Sequence, residues 1–138
     1  MIRELVILEI IDSPNVIKVF EFIRTKKSFY MIQEYANGGS LQSLLELKGR
    51  FPELTARKIL KQIINGLSAM YAIKVVHRDL KLDNILVSFP NLGNSLSKAD
   101  IKKINMETEE FVIKIADLGY SRALDDNEKA KTGCGTPL

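Results

Sequence analysis

The stretch His77-Arg78-Asp79-Leu80-Lys81-Leu82-Asp83-Asn84 decides how this chain is read, and Asp117-Leu118-Gly119 completes it after an apolar run. Together they supply a carboxylate that can take a proton, a nearby ammonium, and two oxygen donors that suit a hard cation such as Mg²⁺. An isolated His-Arg-Asp would say little, because short polar triplets arise often at strand ends. A longer motif followed by a second acidic motif on a separate strand says much more. The order fits phosphoryl transfer, which needs positioning and charge neutralisation more than covalent work by the protein. In that scheme Asp79 accepts the attacking hydroxyl's proton and Lys81 reaches the transferring phosphate. Asn84 and Asp117 hold the metal. Asp83 fills an unspecified position and reads as surface.

Working outward, Val75-Val76, Ile85-Leu86-Val87 and residues 111–116 are short strands that carry these motifs. The strongest helix pattern covers 53–71, with Ile59, Ile63, Leu67 and Met70 on one face and Leu60 and Ile64 widening it. Pro52 suits its first turn, where a missing backbone donor is harmless. Strands are expected over 16–23 and 29–34, joined by the polar turn Thr25-Lys26-Lys27-Ser28. Asn37-Gly38-Gly39 breaks that pattern, and Ser40 caps a short helix ending at Lys48-Gly49. Residues 3–11 read as the end of an amphipathic helix stopped by Pro14. Residues 88–110 carry no strong period and read as a long insert loop, with a turn of helix near 98–103.

Composition narrows the class. The chain has 138 residues, 46% of them hydrophobic, and a net charge of +3 spread along its length. Basic blocks, RNA-binding aromatic signatures and zinc-finger spacings are all missing, which argues against nucleic acid as a partner. Cys134 is the single cysteine, so no disulfide can form within the chain. Without a secretory signal or a run long enough to span a bilayer, the expectation is a soluble, cytoplasmic protein.

On these motifs the chain resembles the eukaryotic protein kinase superfamily, from its helix αC to its activation segment. The resemblance implies an α+β fold, part of a bilobal kinase domain. Residues 1–36 would be small-lobe remnant and hinge, and 37–138 the start of the large lobe. It also implies ATP and Mg²⁺ as cofactors, and a protein substrate that presents serine or threonine. Tyr30 to Gly39 is similar to the family's fifth strand and hinge. Backbone groups of Glu34 and Ala36 would then meet the adenine edge, Gln33 would be the gatekeeper, and Leu86 the apolar floor.

The same resemblance gives His77, the only histidine, a packing role against Leu118, where most kinases carry Phe. Glu4 would be the αC glutamate. Thr136 would touch the base and lysine of serine/threonine kinases, and Thr132 would be an activating phosphosite with Arg78 as its phosphate ligand. The close of the segment, together with the Asn-Gly-Gly hinge, is similar to autophagy-initiating and calmodulin-dependent kinases. The family's glycine-rich loop and strand lysine do not precede Glu4, and its Ala-Pro-Glu motif does not follow Leu138. Apolar faces of helix 53–71 are therefore expected to stand uncovered. Two other readings differ in class: a non-catalytic fragment that binds nucleotide or a partner, and a small-molecule phosphotransferase. The second would need neither Lys81 nor the Gly-Thr-Pro segment.

Overall fold

The computed structural model describes residues 11–118 and 122–123. Almost all of the helix expected over 3–11 lies outside them, as does everything from Thr132 onward.

Val19–Arg24 (β1) and Phe29–Gln33 (β2) form an antiparallel hairpin with Phe22 opposite Met31. Thr25 closes its turn: its N–H donates to the Ser28 carbonyl at 2.9 Å, and its Oγ1 accepts from the Ser28 N–H at 3.0 Å. Phe22 and Phe29 stack across the hairpin with ring centroids 5.6 Å apart. The ladder starts later than the expected residue 16 because Val16 pairs elsewhere, in a parallel bridge to Ile115.

Leu41–Lys48 (α1) starts on Ser40, whose Oγ accepts from the Ser43 N–H at 3.1 Å, and ends on Gly49 at φ +83°. Only glycine adopts that left-handed geometry without a steric penalty. Glu53–Ala72 (α2) follows Pro52. Its buried positions are Thr55, Ile59, Gly66 and Met70, the spacing of one helical stripe. Leu60 and Ile64 lie off that stripe and are exposed, so they do not widen the packed face. Leu54 and Tyr71 also stand exposed, giving α2 the uncovered apolar surface expected of it.

Beyond α2 come Val75–Val76 (β3), a single 3₁₀ turn at Leu82–Asn84, Ile85–Ser88 (β4), Lys98–Lys103 (α3), Val112–Ile115 (β5) and Arg122–Ala123 (β6). β4 pairs antiparallel with β5, and β3 with β6. α3 coincides with the turn of helix expected near 98–103. It is closed by a capping box in which Ser97 and Asp100 bond each other's backbone N–H groups. The Ser97 hydroxyl and N–H hold the Asp100 carboxyl below its ordinary value.

Two apolar cores meet at β5. Ile115 joins Ile11, Val16, Ile17, Val19, Met70 and Leu118, whereas Ile113 joins Leu41, Leu44, Ile59, Val87, Phe89 and Phe111. Ile101 and Met106 belong to the second core, so the loop over residues 88–110 is anchored to the body by a few apolar side chains. Asn37 pins this segment. Its Oδ1 accepts from the Phe89 N–H at 2.7 Å, and its Nδ2 donates to the carbonyls of Phe89 at 3.0 Å, Gly93 at 3.1 Å and Leu92 at 3.3 Å. Asn37→Ala would leave the buried Phe89 N–H and carbonyl without their partner, at about 1–3 kcal/mol for each group stranded. A total loss of about 3 kcal/mol is expected in denaturant unfolding. A loss under about 1 kcal/mol would show that water replaces the amide.

Candidate active site

Asp79 is buried, at 8% exposure, between the other residues of its motif. Its Oδ2 lies 3.1 Å from Lys81 Nζ, and Asn84 Nδ2 donates to its main-chain oxygen at 2.9 Å and to Oδ2 at 3.1 Å. The 3₁₀ turn makes this possible by folding Asn84 back over the loop that carries Asp79. Because the Nδ2 side of the Asn84 amide faces Asp79, its Oδ1 is turned the other way. Lys81 is 36% exposed, so the ion pair adds little stability. Its contribution is positional.

His77 is 3% exposed, and both of its ring nitrogens are engaged. The Asp79 N–H donates to Nδ1 at 3.2 Å, which leaves the proton on Nε2, 2.8 Å from the Ala116 carbonyl. The imidazole therefore ties the Asp79 loop to the residue just before Asp117. A second tie runs alongside, from the Ala116 N–H to the Asn84 carbonyl at 2.8 Å. These two bonds bring the paired motifs together. Arg78 and Asp117 both take left-handed backbone, at φ +70° and +56°. Such conformations cost about 1–3 kcal/mol and gather at functional sites, though Asp adopts them more readily than Arg. The Asp117 side chain is exposed, whereas Leu118 behind it is buried at 2%.

The Asn37-Gly38-Gly39 segment lies along β4. The Gly38 N–H donates to the Val87 carbonyl at 2.8 Å, and the Val87 N–H to the Gly39 carbonyl at 2.9 Å. Leu86 is thereby held next to the strand's crossing with Ser40. The Glu34 N–H donates to the Lys18 carbonyl at 2.8 Å. Ala36 is buried and Gln33 exposed. Glu4, Gly119, Thr132 and Thr136 lie outside the described residues.

Two groups that sequence reasoning passed over fix this geometry. Lys114 on β5 is 8% exposed; its Nζ lies 2.8 Å from Glu34 Oε1 and donates to the Pro14 carbonyl at 3.1 Å. It thus links the strand leading into Asp117 to the segment that follows β2. Asn15 and Gln62 clasp β5 at Ile113. Gln62 Oε1 accepts from the Ile113 N–H at 2.9 Å and from Asn15 Nδ2 at 3.0 Å, and Asn15 Nδ2 also donates to the Ile113 carbonyl. A charged residue inside a strand buried on both faces was the available signal for Lys114. Nothing local marks Gln62.

Asn84 and Asp117 present an amide and a carboxylate oxygen, hard donors of the kind Mg²⁺ takes when substrate phosphates and water complete its shell. The donor chemistry fits that ion.

The sequence profile of the protein kinase domain family matches residues 1–138. The chain belongs to the protein kinase family. Among its curated relatives, "Probable serine/threonine-protein kinase fhkD" of Dictyostelium discoideum is 36% identical over 138 residues, all of this chain and 16% of the relative. "Serine/threonine-protein kinase ATG1a" of Arabidopsis thaliana is 32% identical over 138 residues, again all of this chain and 19% of the relative. A second Dictyostelium protein, "Probable serine/threonine-protein kinase fhkC", is 33% identical over 137 residues, 99% of this chain and 20% of the relative. The chain thus spans a fifth or less of the length of these relatives. No helix among the described residues is long and apolar enough to cross a membrane.

Proposed function

We propose that the chain carries the base and metal side of a serine/threonine protein kinase site, which moves the γ-phosphoryl group of ATP to a protein hydroxyl. The observation that carries this reading is the joined cluster of Asp79, Lys81 and Asn84 beside Asp117. Asp79 Oδ2 takes the hydroxyl proton as the oxygen attacks; its burial and its bonds to Asn84 and Lys81 hold it in one place. Lys81 is close enough to share its charge between Asp79 and the moving phosphoryl group, in the manner of a preorganised electrostatic clamp. Asn84 Oδ1 and Asp117 would hold Mg²⁺, which when bound spreads the phosphate charge. The Glu34 carbonyl and the Ala36 backbone would meet the adenine edge above Leu86. Arg78 would receive a phosphate on Thr132, and Thr136 would contact Asp79 and Lys81.

Incubating the full-length polypeptide with γ-labelled ATP and a mixed peptide library tests this. Label is expected on serine and threonine. Label on tyrosine alone would overturn the substrate class, and label on small molecules but no peptide would favour the small-molecule phosphotransferase.

A further inference from the structure

A concavity lies away from these residues, between the end of α1, the first turn of α2 and the segment that follows α3. It is a crevice of about 300 Å³. Its polar lining is cationic, with Lys48, Arg50 and Lys102, against one acidic side chain, Glu107. Phe51 and Ile104 give it an apolar wall.

Thr55 also lines it, and this residue is unusual. It is 0% exposed, and its Oγ1 has no hydrogen-bond partner. A buried hydroxyl without a partner is rare in folded proteins and calls for a missing group. Thr55 sits in the first turn of a 20-residue helix whose N-cap, Pro52, supplies no side-chain bond to the leading N–H groups. That end of a helix carries partial positive charge and favours anions. Lys48 is held at the crevice by the carbonyls of Ile104 at 2.7 Å and Lys102 at 3.2 Å, which uses only part of its donor capacity. Desolvation lowers its pKa, a bias that a nearby anion would reverse.

We propose that this crevice is a docking site for an acidic peptide segment, which brings a carboxylate or phosphate oxygen to Thr55 and the Lys48–Arg50–Lys102 cluster and rests an apolar neighbour on Phe51 and Ile104. The volume exceeds what one inorganic anion fills, and the apolar wall would be wasted on it. Charge complementarity selects acid over base, and the partner is therefore a protein whose docking segment mixes acidic and aliphatic residues. The site lies apart from the Asp79 cluster, so docking here would add to affinity for a protein without occupying the transfer site.

Fluorescence anisotropy on the full chain provides the test, with labelled Gly-Ala-Leu-Xaa-Xaa-Leu-Ala-Gly in which both Xaa are serine, aspartate or phosphoserine. At least one acidic peptide is expected to bind about tenfold or more tightly than the serine peptide, as charge-assisted hydrogen bonds require. Binding by phosphoserine alone names phosphate as the recognised group, and binding by aspartate as well shows that a carboxylate suffices. Arg50→Glu and Thr55→Val should each weaken the acidic peptide about fivefold or more. The Thr55→Val change keeps the side chain's shape and removes a hydroxyl that nothing in the fold satisfies, so folding should survive. Equal binding of the serine peptide, or indifference to both substitutions, would overturn the proposal. So would displacement by inorganic phosphate at the peptide's own affinity, which would mark a free-anion site.

Discussion

Replacing Asp79 with asparagine is expected to lower phosphoryl transfer by about 10²- to 10⁴-fold, the range of a positioned general base, with little change in nucleotide affinity. The substitution is nearly isosteric. It keeps the Asp79 N–H bond to His77 Nδ1 and leaves an amide oxygen for Asn84 Nδ2 to meet. What it removes is the proton acceptor and the negative charge facing Lys81. Because Lys81 is 36% exposed, water can take over its solvation, so the melting temperature should move little. Asp83 is an internal control: it is exposed, four residues along the same loop, and Asp83→Asn should leave turnover unchanged. Transfer rates are read on the full-length polypeptide, and nucleotide affinity by titration with a non-hydrolysable ATP analogue in Mg²⁺. An undiminished rate in Asp79→Asn would remove Asp79 as the base. A rate loss matched by an equal loss of nucleotide affinity would make it a structural residue instead.

Local chemistry was the part of this molecule that could be read from its sequence. Ser40, Gly49 and Pro52 act within one turn of where they stand, so both helices between residues 40 and 73 could be placed almost to the residue. The strands flanking Asp79 and Asn84 and leading into Asp117 were legible because apolar runs adjoin polar motifs. The clasp on β5 was not. Asn15 and Gln62 are 47 residues apart and Asn15 and Ile113 are 98 apart, and a glutamine at mid-helix has the same local appearance whether it faces water or a strand edge. Which side chains of residues 88–111 reach the core was hidden for a related reason. Phe89, Ile101, Met106 and Phe111 share one core, but their spacing matches neither a period of 2 nor one of 3.6, because each enters from a different turn of the chain. Lys114 needed knowledge that both faces of its strand are covered, since lysine in a half-exposed strand is ordinary. Leu60 and Ile64 fail in the opposite sense: apolar spacing identifies what could be buried, and only packing decides what is.

Gly66→Ala links that hidden clasp to the candidate active site, and its expected effect falls on structure and transfer together. Helix propensity alone favours alanine over glycine, by about 1 kcal/mol at an interior position. The structure reverses the sign. A Cβ at residue 66 would stand 2.6 Å from the Asn15 carbonyl oxygen and 2.9 Å from Ile115 Cδ1. Ile115 Cδ1 can turn aside, whereas the Asn15 oxygen is main chain and already accepts from the Ile115 N–H at 2.9 Å. Relief therefore requires α2 to move away from β5, stretching the Gln62 bonds on the same helix. Overpacking of this kind costs about 1–3 kcal/mol, and contact with fixed backbone belongs at the upper end, for a net loss near 2 kcal/mol after the propensity gain. The displaced strand runs through Ile115 and Ala116 into Asp117, and Ala116 bonds both His77 and Asn84. Transfer should therefore fall together with stability, even in the fraction that stays folded. Asn65→Ala, exposed and next in the helix, isolates the propensity effect and should stabilise by about 0.5 kcal/mol. Denaturant unfolding of the two variants beside the unchanged protein gives opposite signs if close approach governs residue 66. If Gly66→Ala stabilises as Asn65→Ala does, α2 and β5 are not in that contact, and the clasp does not position Asp117.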